Sequence, residues 1–291
     1  MELNVSEKQK QYPRFRIGAQ IEHLILLVSF TILCITGLPQ KYIEFPLSQA
    51  LIDLMGGIET TRIIHRWSAF ALIAGSVYHL MTGFYRFYVK HERVRVLPDK
   101  KDVVDVRDYV LYNIGLKDEH PKMRKFNFGE KFEYWAVVWG TGVMIITGFM
   151  LLNPIATTSV LPGQIIPAAL AAHGWEAVLA ASAIIVWHLY NVLIKHFNPS
   201  MWTGKLPRNQ MEEEHALELE RLEAGGSPWQ VVDRPVLLSR RRNFVIASVI
   251  FGALFLAFVI WIFTFEETAI TTIPRVTEEI FVPLGTPGPA G

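Results

Sequence analysis

Five histidines lie inside apolar stretches of the sequence, where an ionisable side chain is costly to bury: His23, His65, His79, His173 and His188. An ionisable group surrounded by hydrocarbon is a functional candidate, because such positions are rarely occupied without a role. The other four histidines lie in polar connections, where exposure to solvent accounts for them. The five intramembrane histidines are therefore the first candidates for chemistry.

The histidines of the second and fourth apolar stretches recur at two levels. His65 and His79 are 14 residues apart, and His173 and His188 are 15 residues apart. At 1.5 Å and about 100° per residue, each spacing corresponds to about 21 Å along a helix and stays within about 60° of one face. The spacing predicts that His65 meets His173 at one level, the outer level, and that His79 meets His188 at the other, the inner level.

Facing imidazoles at two levels favour a haem protein. Two histidines on neighbouring helices are common axial ligands of a six-coordinate haem iron. Zinc fits less well, because two nitrogens do not complete a tetrahedral site and the chain has a single cysteine, Cys34. The sequence contains no Cys-x-x-Cys-His attachment motif, so we expect two b haems. Arg62 and Arg66, which flank His65, are candidates to bind the propionates of the outer haem, with anchoring at the membrane surface as the alternative.

His23 complicates the inner level. It lies seven residues from Arg16, the basic residue at the end of its apolar stretch. His79 and His188 lie equally far from Arg86 and Lys195, the basic residues that end their own stretches. All three are therefore expected about 10 Å from the same membrane surface. Two of the three can ligate the inner iron, and spacing alone favours His79 with His188.

Five apolar stretches must position these side chains: 17–38, 63–85, 134–153, 165–193 and 244–265. About 20 apolar residues span a hydrocarbon core of about 30 Å. The composition agrees, since 51% of the residues are hydrophobic and 19% are charged, below the roughly 25% of soluble domains. The predicted fold class is all-α: a polytopic membrane protein with a four-helix transmembrane bundle holding two b haems, plus a fifth C-terminal transmembrane helix. No internal repeat is evident.

The basic residues predict the orientation of the chain. The net charge is only +1, but 24 of the 28 Lys and Arg residues lie in the N-terminal arm, the 86–131 connection and the 195–242 connection. The four on the other side are Lys41, Arg62, Arg66 and Arg275. Because positive residues are enriched on the cytoplasmic side, we expect a cytoplasmic N-terminus and an outside C-terminus, in the cytoplasmic (inner) membrane of a bacterium.

The chain divides into four predicted regions. Residues 1–208 form the four-helix di-haem domain, and 209–242 form a cytoplasmic connection with a short amphipathic helix at 211–224. Residues 243–265 form the fifth transmembrane helix, and 266–291 form an outside, periplasmic tail.

Several separated motifs occur in order along residues 15–208: Ile21-Glu22-His23-Leu24, Ile35-Thr36-Gly37, Arg62-Ile63-Ile64-His65, Lys125-Phe126-Asn127-Phe128-Gly129-Glu130-Lys131, Ile146-Thr147-Gly148 and His188-Leu189-Tyr190. On these motifs the chain resembles the di-haem cytochrome b subunit (gamma subunit) of respiratory formate dehydrogenases. It is more distantly similar to the b-type cytochromes of hydrogenases and thiosulfate reductases. The fifth stretch and the tail lie outside this resemblance.

The resemblance implies roles for individual residues. His65 and His173 match the ligands of the outer haem, and His188 matches a ligand of the inner haem. The partner of His188 in the resembling subunits matches His23, which favours His23 over His79 and disagrees with the spacing. The rival histidine is then expected close to the haem or the quinone.

The resemblance also implies a quinone, menaquinone or ubiquinone, at the cytoplasmic side. It matches Asn127 to a residue that binds a quinone carbonyl and Gly129 to a close approach of the backbone. Glu130 stands where the pattern has an amide, and either this carboxylate or Glu22, beside His23, is expected to exchange protons with a quinol. The alternative is that Glu130 is an interfacial charge at the start of a helix.

These expectations favour an electron-transfer subunit of a respiratory complex over two other functions. Electrons would pass through the haems between the quinone and an outside redox partner, either an iron–sulfur protein or a multihaem cytochrome. The chain would not be an enzyme on its own, so a further catalytic subunit is expected, and nothing indicates binding to nucleic acid. The alternatives are a proton or metal transporter with a histidine relay, which predicts graded depths and broken helices, and a membrane anchor without a redox role.

Overall fold

The protein is described here by a computed structural model that covers residues 10–227 and 234–264. The helices are, in chain order, α1 (Ile17–Lys41), α2 (Pro46–Leu54), α3 (Ile58–Phe84), α4 (Lys100–Asn113), α5 (Phe128–Leu152), α6 (Pro154–Thr158), α7 (Ile165–Ala183), α8 (Ser200–Thr203), α9 (Arg208–Glu214), α10 (Ala216–Glu223) and α11 (Arg234–Thr264). Two short strands, β1 (Gln11–Pro13) and β2 (Lys205–Pro207), pair antiparallel. The predicted outside tail, 266–291, lies outside the described residues.

Four helical segments within these ranges are long and apolar enough to cross a membrane: Ile17–Lys41, Phe128–Leu152, Ile165–Lys195 and Val236–Trp261. They correspond to four of the five predicted spans. The remaining predicted span lies in α3, which has 27 residues and is therefore about 40 Å long. Its sequence is more polar, because Glu59, Arg62 and Arg66 lie in its first half.

The long helices pack in two pairs. α3 packs along α1, α7 packs along α5, and α1 also contacts α7. α11 lies against both pairs, because Phe244 packs on Tyr85 just beyond α3 and Phe258 stacks on Phe149 of α5. This arrangement leaves the interior of the bundle lined by side chains from four helices.

The polarity of the bundle is inverted relative to a soluble protein. The buried positions of α1, α3 and α5 are mostly small or polar, among them Ser29, Thr36, Ser68 and Thr147. Large apolar side chains face outward instead, and Trp139 of α5 is 74% exposed. Small and polar residues at helix contacts with apolar residues outside are typical of helices packed in lipid.

A polar cap covers the end of the bundle where the N-terminal arm enters. It consists of β1, β2, α9 and α10, and its small core is formed by Tyr12, Leu206, Met211 and Leu219. Arg14 fixes the cap to the bundle, because its buried guanidinium pairs with Glu130 at 2.6 Å. The cap joins residues on both sides of the domain boundary predicted at residue 208.

The amphipathic helix predicted at 211–224 is broken in the structure. α9 ends at Glu214 and α10 begins at Ala216, and the residue between them, His215, has φ −142°. His215 was expected in solvent, and that expectation is wrong, because the side chain is completely buried. Its ring Nδ1 donates to the carbonyl of Arg124 at 3.1 Å, so the break coincides with a contact to the segment that precedes α5.

Candidate functional site

The outer level brings His65 of α3 and His173 of α7 together. Their ring centroids lie 6.4 Å apart, with an angle of 67° between the ring planes. Each ring is held by a threonine on the neighbouring helix of its own pair. Nδ1 of His65 lies 2.8 Å from Oγ1 of Thr36, and Nδ1 of His173 lies 2.9 Å from Oγ1 of Thr147.

The two threonines determine which nitrogen of each ring is protonated. Thr36 donates its hydroxyl proton to the carbonyl of Ile32 at 2.7 Å, and Thr147 donates to that of Val143 at 2.6 Å. Each Oγ1 can therefore only accept from the imidazole, so Nδ1 carries the hydrogen. Nε2 of each ring is left with a free lone pair, as a metal ligand requires.

A glycine follows each threonine and makes room for the ring. A Cβ added to Gly37 would lie 3.0 Å from Cε1 of His65, and one added to Gly148 would lie 3.3 Å from Cε1 of His173. Both contacts are tighter than side chains normally tolerate. The Thr-Gly sequence thus supplies both the hydrogen-bond acceptor and the space for each histidine.

The inner level brings His23 of α1 against His188, which lies just beyond α7. The ring centroids are again 6.4 Å apart, with an angle of 41° between the planes. Nδ1 of His188 lies 3.0 Å from a carboxylate oxygen of Glu133 on α5. A carboxylate at this distance accepts the Nδ1 hydrogen, which again leaves Nε2 unprotonated.

The end of the fourth span is wound more widely than an α-helix. The segments Ile184–His188 and Tyr190–Lys195 are π-helical. A π turn contains more residues than an α turn, so each residue rotates less about the axis. The wider turns bring His188 back towards the face that carries His173, which the 15-residue spacing would otherwise displace by about 60°.

His79 is not part of this pair and belongs to a hydrogen-bonded cluster of its own. Its Nδ1 is 2.8 Å from a carboxylate oxygen of Glu22, and its Nε2 is 3.0 Å from the hydroxyl of Tyr134. Thr82 donates to the second carboxylate oxygen of Glu22 at 2.8 Å. Of the three histidines expected at the inner level, the structure therefore brings together His23 and His188, while both nitrogens of His79 have protein partners.

The separation within each pair fits a shared metal ion. Two imidazoles that bind one metal from opposite sides have centroids about 6.2 Å apart, because each metal–nitrogen bond is about 2 Å and each nitrogen lies about 1.1 Å from its centroid. Both pairs measure 6.4 Å. No group of three or more His, Cys, Asp or Glu side chains in the described ranges could hold a metal ion. Each level thus offers two imidazoles at the separation of a shared metal ion, the donor set of a bis-histidine haem.

The basic residues around the outer level have unequal surroundings. Arg62 pairs with Glu59 at 3.2 Å on the surface of α3, and Arg66 also has a partner. Lys41, which sequence reasoning passed over, lies with its Nζ 4.3 Å from the ring centroid of Trp175. Its Nζ would lie 2.9 Å from a Cβ added to Gly174, the residue after His173. Lys41 is therefore a further cation close to the outer pair.

The residues expected to bind quinone at the start of α5 have structural partners. Oδ1 of Asn127 accepts from the backbone nitrogen of Glu130 at 2.9 Å, and the carboxylate of Glu130 accepts from the backbone nitrogen of Asn127 at 3.0 Å. This reciprocal capping box satisfies the first turn of the helix. Because the same carboxylate pairs with Arg14, Glu130 is held as part of the cap contact. Gly129 lies beside Trp187, 3.8 Å from an added Cβ.

The cap and the segment that precedes α5 contain groups whose pKa values are lowered. Burial, followed by the nearby Arg14 guanidinium, lowers the pKa of His215. The same two causes lower the pKa of Lys125 to about 8. Nε2 of His215 has no hydrogen-bond partner and lies 3.8 Å from a carboxylate oxygen of Glu130. The pKa directions follow from placing several charges against the buried end of the bundle.

Of three acidic residues within the long helices, sequence reasoning considered only Glu22, as a proton exchanger, and passed over Glu133 and Glu176. Glu22 and Glu133 hydrogen-bond His79 and His188, and a carboxylate oxygen of Glu176 would lie 2.5 Å from a Cβ added to Gly140. The rule that drew attention to the histidines applies equally to intramembrane carboxylates. Their positions in the sequence were therefore a sufficient signal.

Comparison with known proteins identifies the family of the chain. A family model described as prokaryotic cytochrome b561 matches residues 14–204. The chain is 25% identical over 221 residues to the cytochrome b556(Fdn) subunit of the nitrate-inducible formate dehydrogenase of Escherichia coli (strain K12), covering 75% of this chain and 95% of that subunit. It is 24% identical over 181 residues to the cytochrome b556(fdo) subunit of formate dehydrogenase of the same strain, covering 62% and 78%.

The family match contains both histidine pairs and the threonines and glutamate that hold them, whereas α11 follows it in the chain. Membrane-spanning helices, paired imidazoles and the relatives all agree with electron transport by haem b. The chain belongs to the prokaryotic cytochrome b561 family and is a multi-pass membrane cytochrome b of electron transport.

Proposed function

We propose that this chain carries electrons across a bacterial cytoplasmic membrane through two b haems, one bound by His65 and His173 and the other by His23 and His188. The observation that carries the proposal is the pair of equal 6.4 Å separations between imidazoles. Nδ1 of His65, His173 and His188 is occupied by a protein acceptor. Bound haem supplies reversible one-electron chemistry at each level. The protein residues bonded to Nδ1 of His65, His173 and His188 orient these three rings and keep their Nε2 atoms unprotonated.

In this proposal α3 is a fifth membrane span, and the polar cap is cytoplasmic. The positive residues support this orientation, because the cap and the connections on its side hold most of them. The outer pair then lies near the periplasmic surface, where Arg62, Arg66 and Lys41 are candidates to bind propionates.

The haems connect a quinone at the inner level with a redox partner outside. The formate dehydrogenase subunits among the relatives support a complex with a separate catalytic subunit. An iron–sulfur protein or a multihaem cytochrome is the expected partner at the outer surface. In this proposal the chemistry at the far end belongs to that partner.

Haem content tests the proposal directly. The pyridine haemochrome spectrum of the purified chain should give two b haems per polypeptide. His65→Ala should lose the outer haem and His23→Ala the inner haem, while His79→Ala should keep both. A chain without haem would refute the proposal and favour a histidine relay or a plain anchor. Loss of the inner haem in His79→Ala, together with its retention in His23→Ala, would reverse the inner assignment.

A further inference from the structure

The two helix pairs of the bundle are built on the same plan. Glu22-His23 and Thr36-Gly37 of α1 recur 111 residues later as Glu133-Tyr134 and Thr147-Gly148 of α5. The contacts recur as well, since Thr36 and Thr147 each hold a histidine on the following long helix. This repeat, which is not evident from the sequence alone, relates α1 to α5 and α3 to the fourth span.

The repeat gives the inner level two related positions. Glu133 accepts from His188 at 3.0 Å, and Glu22 accepts from His79 at 2.8 Å, so His79 is the counterpart of His188. The counterpart of His23 is Tyr134, because both directly follow the glutamate. The position equivalent to the His23–His188 pair is therefore formed by Tyr134 and His79.

This second position is not suited to a metal. The hydroxyl of Tyr134 lies 3.0 Å from Nε2 of His79, so the two groups bond each other directly and leave no room for an ion between them. The carboxylate of Glu22 accepts from Nδ1–H, which leaves Nε2 to accept the Tyr134 hydrogen. A carboxylate, an imidazole and a hydroxyl in this order form a proton-accepting chain, in which the carboxylate orients the imidazole.

The hydrogen-bonded chain of Glu22, His79 and Tyr134 is accessible and lies close to the inner pair, His23 and His188. The side chain of His79 is 40% exposed, so the cluster is not sealed within the bundle. Glu22 directly precedes His23, and Tyr134 directly follows the glutamate that holds His188. Proton-accepting groups next to an electron-transfer pair are what a quinol needs, because its oxidation releases protons together with electrons.

We propose that Tyr134 and His79 form the site at which a quinol hydroxyl, or a quinone carbonyl, exchanges its proton; this inference rests on the proposed function. Oxidation of a quinol to a quinone releases two electrons and two protons. Each electron would leave singly to the b haem that His23 and His188 are proposed to hold. With each electron, the quinol O–H transfers its proton to the Tyr134 oxygen while Tyr134 passes its own proton to His79 Nε2. His79 then releases that proton to water through its accessible face before the second transfer. Quinone reduction follows the reverse path.

Glu22 has a positioning role in this proposal. Both of its carboxylate oxygens are engaged, one by His79 and the other by Thr82. It keeps Nδ1 of His79 protonated and therefore keeps Nε2 available as the acceptor. The carboxylate of Glu130, for which the sequence suggested proton exchange, is instead held by Arg14.

Stopped-flow reaction of the haem-loaded full chain with quinones tests the inference. The haem absorbance is followed during reduction by decylubiquinol or by reduced menadione, and during reoxidation of the dithionite-reduced protein by menadione. His79→Gln can still hydrogen-bond Glu22 and Tyr134 but cannot accept a proton, and Tyr134→Phe removes only the hydroxyl. Tyr78→Phe is the matched control, because Tyr78 neighbours His79 on α3 and is 51% exposed.

We expect both variants to keep two dithionite-reducible haems and to react about 100-fold more slowly, the usual order for losing an acid–base group. The wild type should react more slowly in deuterium oxide, and His79→Gln should lose this isotope effect. A merely structural role of His79 would not produce that loss. Tyr78→Phe should behave as the wild type. Wild-type rates in both His79→Gln and Tyr134→Phe would overturn the inference alone. A wild type that binds no haem, or whose haem reacts with no quinone, would overturn the proposed function as well.

Discussion

Thr36→Val removes the oxygen that fixes the tautomer of His65 while keeping the shape of the side chain. In the native protein Oγ1 of Thr36 accepts from Nδ1 of His65 at 2.8 Å, and the threonine side chain is almost completely buried. After the substitution Nδ1–H has no acceptor, and leaving a buried donor unpaired costs about 1–3 kcal/mol. The other tautomer avoids that cost only by placing the hydrogen on Nε2, where it blocks metal binding.

Both outcomes weaken outer haem binding. A free-energy difference of about 1.4 kcal/mol changes a binding constant tenfold. A loss of 1–3 kcal/mol therefore agrees with the 10- to 100-fold loss of metal affinity found when a ligand's hydrogen-bond partner is removed. We therefore expect the dissociation constant of the outer haem to rise by about 10- to 100-fold. Haem titration of the apoprotein in detergent measures it, with His65→Ala as the reference that lacks the outer site.

Thr31→Val is a matched control for this experiment. Thr31 lies on the same helix and donates to the carbonyl of Leu27 at 2.7 Å, the same back-bond that Thr36 makes, but it is exposed and no histidine bond is found for it in the described structure. Thr147→Val should resemble Thr36→Val, because Thr147 holds His173 in the same way. If Thr36→Val binds the outer haem as tightly as Thr31→Val, the threonine does not control the tautomer and the reasoning is refuted.

Three further predictions follow from the same contacts. Gly37→Ala should weaken the outer haem more than Gly148→Ala, since their added Cβ atoms would lie 3.0 and 3.3 Å from the histidine rings; equal haem affinities of the two variants would contradict this. Glu133→Gln should raise the midpoint potential of the inner haem in a redox titration, because a neutral acceptor makes the imidazole a weaker donor; an unchanged midpoint would count against that role. The pKa of His215 is lowered in the folded cap relative to the unperturbed histidine value of about 6.5. Below about pH 6.5 the unfolded cap therefore binds more protons than the folded cap. Cap stability should therefore fall as the pH decreases from about 6.5, and His215→Gln should reduce this dependence in limited proteolysis across pH; equal profiles would refute it.

Spacing and polarity were enough to predict the helical class of the fold and the two histidine levels. His65 and His173 face each other as their sequence positions suggest, because both lie on long regular helices. Four of the expected spans correspond to helices with the length and apolarity of membrane spans. These features depend only on helix geometry and solvent, which local sequence determines.

The details at the inner end of the bundle depend on long-range contacts that no local pattern contains. Arg14 meets Glu130 across 116 residues, and the pairing of β1 with β2 joins residues nearly 200 apart. The burial of His215 follows from these contacts. A charged residue at a helix start, such as Glu130, has the same sequence signature whether it exchanges protons or anchors a cap.

The rivalry between His23 and His79 has a specific origin in the duplicated helix pair. The 14-residue spacing in α3 and the 15-residue spacing in the fourth span are similar because His79 is the counterpart of His188. Equivalent residues of the two repeats lie at the same depth in the bundle. Depth alone therefore does not distinguish His79, the repeat counterpart of His188, from His23, the residue that pairs with it. At the outer level the counterparts, His65 and His173, also face each other, and there spacing and contact agree. At the inner level the partner of His188 comes from α1, and the equivalent position on α5 holds a tyrosine. The substitution of tyrosine for histidine at one of two related positions is therefore what separates the metal-ligand geometry of His23 and His188 from the hydrogen-bonded geometry of Tyr134 and His79.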